Sequence, residues 1–151
     1  MITRILALLF IPLAAYGSPS RAKLAPDNEP GQRMVITGHV FGSDGKPAGG
    51  VEIYAYHTDA NGNYRLDNRY PEEPARLHGT LITAADGSYV IETIRPAPYP
   101  HRNVPAHIHF RLRGHGFDRQ ETWNLPSLPP NGLLRVTHDF RPLGERASRP
   151  Q

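Results

Sequence analysis

The chain has 151 residues, with 17 lysines and arginines against 14 aspartates and glutamates, and no cysteine. Its formal net charge is only +3, and positive and negative residues are interleaved along the sequence. The sequence therefore lacks the clustered basic residues typical of nucleic-acid-binding proteins. The absence of cysteine excludes disulfides and thiol chemistry, so a metal ion would have to be held by His, Tyr or carboxylate side chains.

The first residues have the order of a secretory signal peptide. Arg4 precedes an apolar run from Ile5 to Ala15, and Ala15-Tyr16-Gly17 then offers small residues at the positions that a signal peptidase reads. The run is shorter than the about 20 residues that cross a bilayer. We therefore predict a signal peptide over residues 1–17, a secreted or periplasmic protein and no membrane span. A buried first strand is the alternative.

The rest of the chain is the right length for one domain. Residues 18–32 are rich in Pro, Ser and charged residues, which predicts an extended N-terminal arm. Residues 33–143 carry the pattern of a folded domain. Residues 144–151 resemble a flexible tail. The sequence leaves the oligomeric state open.

Short alternating stretches separated by turns run through residues 33–143. The predicted strands are Val35–Phe41, Val51–Tyr56, Thr80–Thr83, Ser88–Ile91, His107–Leu112 and Leu133–Phe140. Asp86-Gly87 predicts a hairpin between two of them. No stretch predicts a helix, because 16 prolines and 14 glycines interrupt the chain. The pattern favours an all-β fold, an antiparallel β-sandwich with long loops that carry the site.

Two long segments, Asp59–Gly79 and Ile94–Ala106, have no strand pattern, and long ordered loops in small domains are often functional. Each contains a candidate tyrosine. Tyr64 follows a turn-forming run that begins at Asp59. Tyr99 lies between prolines that restrict its backbone. Taken alone, each tyrosine is more typical of an ordinary packing or surface residue than of a metal ligand.

His107-Ile108-His109 is the sharpest local motif. In a strand, residues two apart point to the same face about 6.6 Å apart, so that both imidazoles can reach one metal ion. Ile108 would then point into the apolar core. Two surface histidines are the alternative when the motif is taken alone.

The two histidines and two tyrosines together form a set of two nitrogen and two oxygen donors. Phenolate is a hard, charged ligand that favours a trivalent ion, and a bound cation can ionise a coordinating group. The set suits Fe(III) better than the Fe(II) of sites built from two histidines and one carboxylate.

These residues resemble those of the intradiol ring-cleavage dioxygenases, such as the catechol and protocatechuate dioxygenases. The similarity runs from about Gly38 to Phe110. It is carried by Asp86-Gly87-Ser88-Tyr89, by Pro98-Tyr99-Pro100 and by Pro105-Ala106-His107-Ile108-His109-Phe110.

The resemblance implies that Tyr64, Tyr99, His107 and His109 bind Fe(III). It implies a small catechol and O2 as substrates, ring opening between the two hydroxyl-bearing carbons, and a cis,cis-muconate type diacid as product. Tyr99 is then expected to leave the iron and help to take a substrate proton.

The sequence departs from the family where an Arg usually precedes Pro-Ala-His, because Val104 stands there. Arg102 could supply that charge from the same loop, and His101 is a weaker candidate; a solvated surface charge is the alternative for Arg102. Gln120 is a loose match for a family Gln near the substrate.

Two other functions fit the same strand pattern. One is a non-catalytic β-sandwich module of the transthyretin-like or carboxypeptidase-regulatory-like kind, because fold pattern does not decide function. The other is an iron-binding homologue that has lost turnover, which the residue at Val104 suggests.

Overall fold

A computed structural model of the chain describes residues 18–65 and 74–142. The predicted signal peptide, residues 1–17, and the predicted tail, residues 144–151, lie outside the described residues. The described part contains strands and no helix, and therefore no helix that is long and apolar enough to cross a membrane.

Eight strands form two four-stranded sheets, and the all-β sandwich predicted from the sequence is confirmed. The strands are β1 Ser20–Lys23, β2 Arg33–His39, β3 Glu52–His57, β4 Leu77–Ile82, β5 Ser88–Ile94, β6 His107–Gly114, β7 Phe117–Asn124 and β8 Leu134–Thr137. The first sheet has the order β1-β5-β2-β8, and the second has the order β4-β3-β6-β7.

Most strand pairs are antiparallel, and the two exceptions lie at the edges of the first sheet. There β1 pairs in parallel with β5, and β8 pairs in parallel with β2. The segment 18–32 therefore adds an edge strand to the domain, and its Leu24 and Ala25 are buried beyond that strand.

The hairpin predicted at Asp86-Gly87 is wrong. A local turn does form there, because the backbone N–H of Gly87 donates to the carbonyl of Ala84 at 2.8 Å. However, β4 before the turn pairs with β3 of the second sheet, while β5 after it pairs with β2 of the first. A turn signal fixes where the chain reverses, and the packing of the two sheets decides which partner the next strand finds.

Strand β7 has no counterpart among the predicted strands. Its inward side carries Arg119 and Glu121, which form an ion pair at 2.9 Å, so the strand looks polar on both faces. It follows β6 through a tight turn at residues 114–116, where all three residues have positive φ angles.

Strand β6 separates the core from the face that carries the candidate site. Ile108, Phe110 and Leu112 point into the sandwich and are at most 1% exposed. His107 and His109 point away from the core, toward the outer face of the second sheet. The fold thus places both imidazoles on an outer sheet face that the loops after β3 and β5 partly cover.

Candidate metal centre

Three parts of the fold bring the two tyrosines and two histidines together. His107 and His109 lie at the start of β6, Tyr64 lies on the loop after β3, and Tyr99 lies on the loop after β5. Tyr64 and His107 are 9% and 6% exposed, and the other two are half-buried. The site is therefore screened from bulk water on the Tyr64 side and open near Tyr99.

The four donor atoms form one continuous chain of contacts. Nε2 of His107 lies 3.0 Å from the Tyr99 oxygen, the Tyr99 and Tyr64 oxygens are 2.6 Å apart, and the Tyr64 oxygen lies 2.9 Å from Nε2 of His109. The two imidazole rings meet edge to face with centroids 4.8 Å apart. Four potential metal-binding atoms are thus linked one to the next at hydrogen-bond distance.

The outer ring nitrogens of both histidines have partners of their own. Nδ1 of His107 lies 2.7 Å from the carbonyl oxygen of Pro105, and Nδ1 of His109 lies 3.1 Å from Oγ1 of Thr122. Such partners orient ligand imidazoles at metal sites and set their tautomers. Both rings are accordingly held with Nε2 turned toward the tyrosines.

With all four groups uncharged, one set of proton positions satisfies the five contacts given above. The carbonyl of Pro105 can only accept, so Nδ1 of His107 carries the proton and Nε2 accepts from the Tyr99 hydroxyl. The Tyr64 hydroxyl then donates to Tyr99, and His109 donates from Nε2 to Tyr64. The hydroxyl of Thr122 donates to Nδ1 of His109.

The loop that presents Tyr64 is organised by Asp59, which is 7% exposed. Its Oδ1 accepts from the backbone N–H groups of Asn61 and Asn63 at 2.9 and 3.0 Å, an Asx-type turn. The turn lifts the chain off the end of β3. Downstream, the Tyr64 carbonyl accepts from the N–H of Arg76 at 2.8 Å, which fixes the backbone of the ligand itself.

The loop that presents Tyr99 is tied to the loop that presents Tyr64. The Thr58 hydroxyl donates to the Ala97 carbonyl at 2.7 Å, and the Ala97 N–H donates to the Asp59 carbonyl at 3.0 Å. The two phenols are therefore positioned by one connected backbone unit.

Tyr56 is a neighbour of the site that the sequence analysis missed. It lies on β3 directly opposite His109, 8% exposed, and its ring stacks on that imidazole at 4.7 Å with an interplanar angle of 19°. Thr122 was missed as well. Both assignments need the strand register, which no local sequence signal supplies.

The additional residues predicted for the substrate occupy different places. Arg102 is exposed, and its guanidinium carbon lies 5.9 Å from the Tyr99 ring centroid. His101 is exposed beside it, with a φ of 62°. Val104 is 36% exposed on the same loop. Arg102 is thus a cation that lies against the ring of a candidate ligand tyrosine.

Gln120 lies on β7 opposite Arg111, whereas Thr122 lies opposite His109. Thr122 therefore reaches the imidazole, and Gln120 faces the same side of the sheet two residue pairs further along. Its proposed role toward a substrate stays a prediction.

The donor set fits a hard trivalent cation. Two phenol oxygens can become phenolates, and two imidazoles present Nε2 in the same small volume. Across residues 18–65 and 74–142, three or more His, Asp or Glu side chains nowhere group as a metal site. The candidate centre is the mixed tyrosine and histidine set, whose four donor atoms are linked at 2.6 to 3.0 Å.

Comparison with known sequences gives the same class of protein. The Dioxygenase family model matches residues 7–125. Catechol 1,2-dioxygenase 2 of Acinetobacter lwoffii is 31% identical over 131 residues, which are 74% of this chain and 47% of that protein. Chlorocatechol 1,2-dioxygenase of Rhodococcus opacus is 32% identical over 118 residues, 67% of this chain and 46% of that protein. The chain spans about half the length of these relatives.

Solved structures share the fold. The dioxygenase domain of a dioxygenase carbohydrate-binding protein fusion from Streptomyces sp. SirexAA-E superposes with a TM-score of 0.60 at 24% identity, over 87% of this chain and 94% of that domain. Catechol 1,2-dioxygenase from Pseudomonas arvilla C-1 gives a TM-score of 0.63 at 19% identity, over 87% and 60%. The chain belongs to the intradiol ring-cleavage dioxygenase family.

Proposed function

We propose that this protein is a secreted or periplasmic Fe(III)-dependent dioxygenase that opens the ring of a catechol with O2 between its two hydroxyl-bearing carbons. The product would be a diacid of the cis,cis-muconate type. The observation that carries the proposal is the convergence of the Tyr64 and Tyr99 oxygens with Nε2 of His107 and His109.

Iron bound by these four residues would supply Lewis-acid and electron-accepting chemistry toward a catecholate. The protein contributes charge and position. Two phenolates would offset two of the three positive charges of Fe(III), which favours the ferric state. The hydrogen-bond partners of Nδ1 in His107 and His109 would keep both imidazoles oriented toward the ion.

The two tyrosines are suited to different tasks. Tyr64 is 9% exposed and lies among Tyr56, His109 and Tyr99, so its ring has little room to move. Tyr99 is half-buried on a loop of prolines, and its phenol oxygen would accept one of the catechol protons. Tyr64 would remain the fixed oxygen ligand.

A catecholate brings negative charge to the site, and Arg102 is placed to offset it. Its guanidinium lies beside the Tyr99 ring, on the open side of the centre. This supports Arg102 as a substitute for the arginine that Val104 replaces.

The first test is the colour of the purified protein after loading with ferric iron. Tyrosinate bound to Fe(III) absorbs visible light, so the loaded protein should be burgundy to red-brown. Tyr99→Phe and His107→Ala should each bleach or shift the band, and His39→Ala, on the other sheet, should not. If the protein stays colourless with ferric iron, the proposed metal centre is rejected. The remaining function is then that of a non-catalytic β-sandwich module.

The second test is oxygen uptake with catechol, protocatechuate and hydroxyquinol, together with ultraviolet detection of a ring-opened diacid. Uptake with formation of the diacid supports the proposed reaction. A coloured protein that consumes no oxygen with any of the three would instead identify an iron-binding homologue without turnover, the function that Val104 suggests.

A further inference from the structure

A partly buried ion-pair group contacts the loop that carries Tyr64. The guanidinium of Arg76 donates to both oxygens of the Glu29 carboxylate, at 2.5 and 2.6 Å, in a two-pronged contact. The same guanidinium lies 3.6 Å from Oδ2 of Asp59. The side chains of Glu29 and Asp59 are 7% and 10% exposed, whereas that of Arg76 is 30% exposed, so the two carboxylates are shielded more than the cation that joins them.

Arg76 holds the Tyr64 loop at two places. Its side chain contacts Asp59, whose other carboxylate oxygen organises the turn through Asn61 and Asn63. Its backbone N–H donates to the Tyr64 carbonyl at 2.8 Å. One residue therefore fixes both the start of the loop and the ligand at its end.

The charge balance depends on the same residue. Hydrogen bonding from Arg76 lowers the pKa of Glu29, and the contact with Glu29 raises the pKa of Arg76. Removing the guanidinium would leave two poorly hydrated carboxylates, Glu29 and Asp59, without their shared counter-ion. A shielded carboxylate that loses its counter-ion destabilises its surroundings, and here the surroundings include the start of the Tyr64 loop at Asp59.

Glu29 belongs to the N-terminal segment, residues 18–32, far from the metal centre in sequence. The segment is anchored by the pairing of β1 with β5 and by burial of Leu24 and Ala25. This anchoring delivers the Glu29 carboxylate to Arg76.

We propose that Arg76, oriented by Glu29, is a positioning residue that holds the Tyr64 phenol in the metal centre. The N-terminal segment, residues 18–32, then contributes to the geometry of the site and not only to the stability of the fold. This inference rests on the proposed function, because it assumes that Tyr64 is a metal ligand. Its test uses the metal-free protein, so that the positioning role of Arg76 and the proposed iron-dependent function can be rejected independently.

The test uses the protein labelled with 3-fluorotyrosine, with the Tyr64 and Tyr89 fluorine resonances assigned from Tyr→Phe variants. In metal-free Arg76→Met and Glu29→Gln proteins the Tyr64 resonance should shift or broaden. The Tyr89 resonance should not move, since that ring is buried in the core with its hydroxyl on the His138 carbonyl. Arg76→Lys should restore part of the wild-type signal.

The matched control is Arg21→Met. Arg21 lies in the same N-terminal segment and pairs with Glu92 at 2.8 Å, but this pair is exposed and far from the site. It should leave the Tyr64 resonance unchanged. Titration with ferric iron should then give an affinity about tenfold or more weaker for Arg76→Met than for Arg21→Met.

The outcomes separate the two proposals. An unchanged Tyr64 resonance in Arg76→Met and Glu29→Gln, even with a lower melting temperature, would reduce Arg76 to a structural residue and overturn the inference. If Arg76→Met does not fold, Glu29→Gln decides, because it keeps the shape of the contact and removes its charge. A Tyr64 resonance that responds in a protein that binds no ferric iron would support the positioning role and reject the proposed function.

Discussion

Gly62 approaches Pro98 so closely that a β-carbon at position 62 would lie 2.1 Å from the Pro98 carbonyl oxygen and 2.9 Å from Cδ of Pro100. Its φ angle is +84°, a conformation that glycine adopts without strain. This is the point where the loop carrying Tyr64 and the loop carrying Tyr99 pack backbone to backbone. The separation of the two phenols is therefore set by a contact that only glycine permits.

Gly62→Ala should accordingly separate the two tyrosines. A left-handed backbone costs a non-glycine residue about 1–2 kcal/mol, and overpacking against the backbone adds about 1–3 kcal/mol. We expect a lower urea midpoint in the metal-free protein and a weaker, shifted visible band after loading with ferric iron.

Gly132→Ala is the control for the backbone term. Gly132 has a φ of +82°, and a β-carbon there would meet nothing within 4 Å. Its loss of stability should be that of the left-handed conformation alone, with the band unchanged. If both variants lose the same free energy of unfolding, the contact between residue 62 and Pro98 does not contribute to stability.

Thr122→Val should weaken iron binding through His109. For Nε2 to bind a metal it must lose its proton, which then resides on Nδ1, 3.1 Å from the Thr122 hydroxyl. A hydroxyl can donate to Nδ1 before loading and accept from it afterwards, and a valine methyl group can do neither. Because Thr122 is exposed and water can substitute in part, we expect an affinity loss near the low end of the about 10–100-fold range for such partners.

Thr80→Val is the matched control, an exposed threonine on the same outer face at β4. Ferric titration of both variants, followed at the visible band, measures the difference. An affinity in Thr122→Val equal to that in Thr80→Val would mean that the hydroxyl does not support the ligand.

Arg102→Ala should slow turnover and leave the colour in place. The guanidinium beside Tyr99 is not among the four donors, so the visible band should persist. If it offsets substrate charge, kcat/KM should fall about tenfold or more, equivalent to about 1.4 kcal/mol in the barrier. The control is Arg113→Ala, an exposed arginine opposite Asp118 on β6. Equal rates in the two variants would reject the role of Arg102.

The sequence predicted the parts of the fold whose signal is local. Alternation in β2, β3 and β6 predicted these strands within a few residues, since one face of each is apolar and the other is not. Which sheet each strand joins, and which strand it pairs with, was not predictable in this way. The turn at Asp86-Gly87 has the same local chemistry whether the next strand joins the same sheet or the other one.

The candidate site divides along the same line. The motif His107-Ile108-His109 and the proline-flanked Tyr99 can be read from the chain. Thr122 and Tyr56 could not be found, because each reaches His109 only through strand register. Arg76 was hidden for a related reason, since its partner Glu29 is 47 residues away and its charge is typical of a surface residue until the contact is seen.

His57 should make the protein less stable as the pH falls below neutrality. Its ring is 1% exposed, with Nδ1 donating to the Thr58 carbonyl and Nε2 accepting from the Thr93 hydroxyl, both at 2.7 Å. Burial lowers the pKa of His57 from 6.5 to about 4, opposed only in part by the Thr58 carbonyl and by Asp59 and Glu29. Between pH 6.5 and about pH 4, His57 is protonated in the unfolded chain but not in the folded protein. The stabilisation is present above about pH 6.5 and is lost as the pH falls toward 4, which amounts to about 1.5 kcal/mol between about pH 6.5 and 5.

That interval isolates His57 from Glu29 and Glu121, because the pKa of each of these carboxyls is lowered from 4.5 and they remain ionised there. Urea unfolding at about pH 7, 6 and 5 measures the slope. His57→Gln should be less stable at about pH 7, since its shape and hydrogen bonds match the site less well, but its free energy of unfolding should change less with pH. Parallel curves for the two proteins would contradict the assignment, because the proton uptake would then occur at another group. A flatter curve for the variant would place it at the residue that ends β3, directly before the loop that leads to Tyr64.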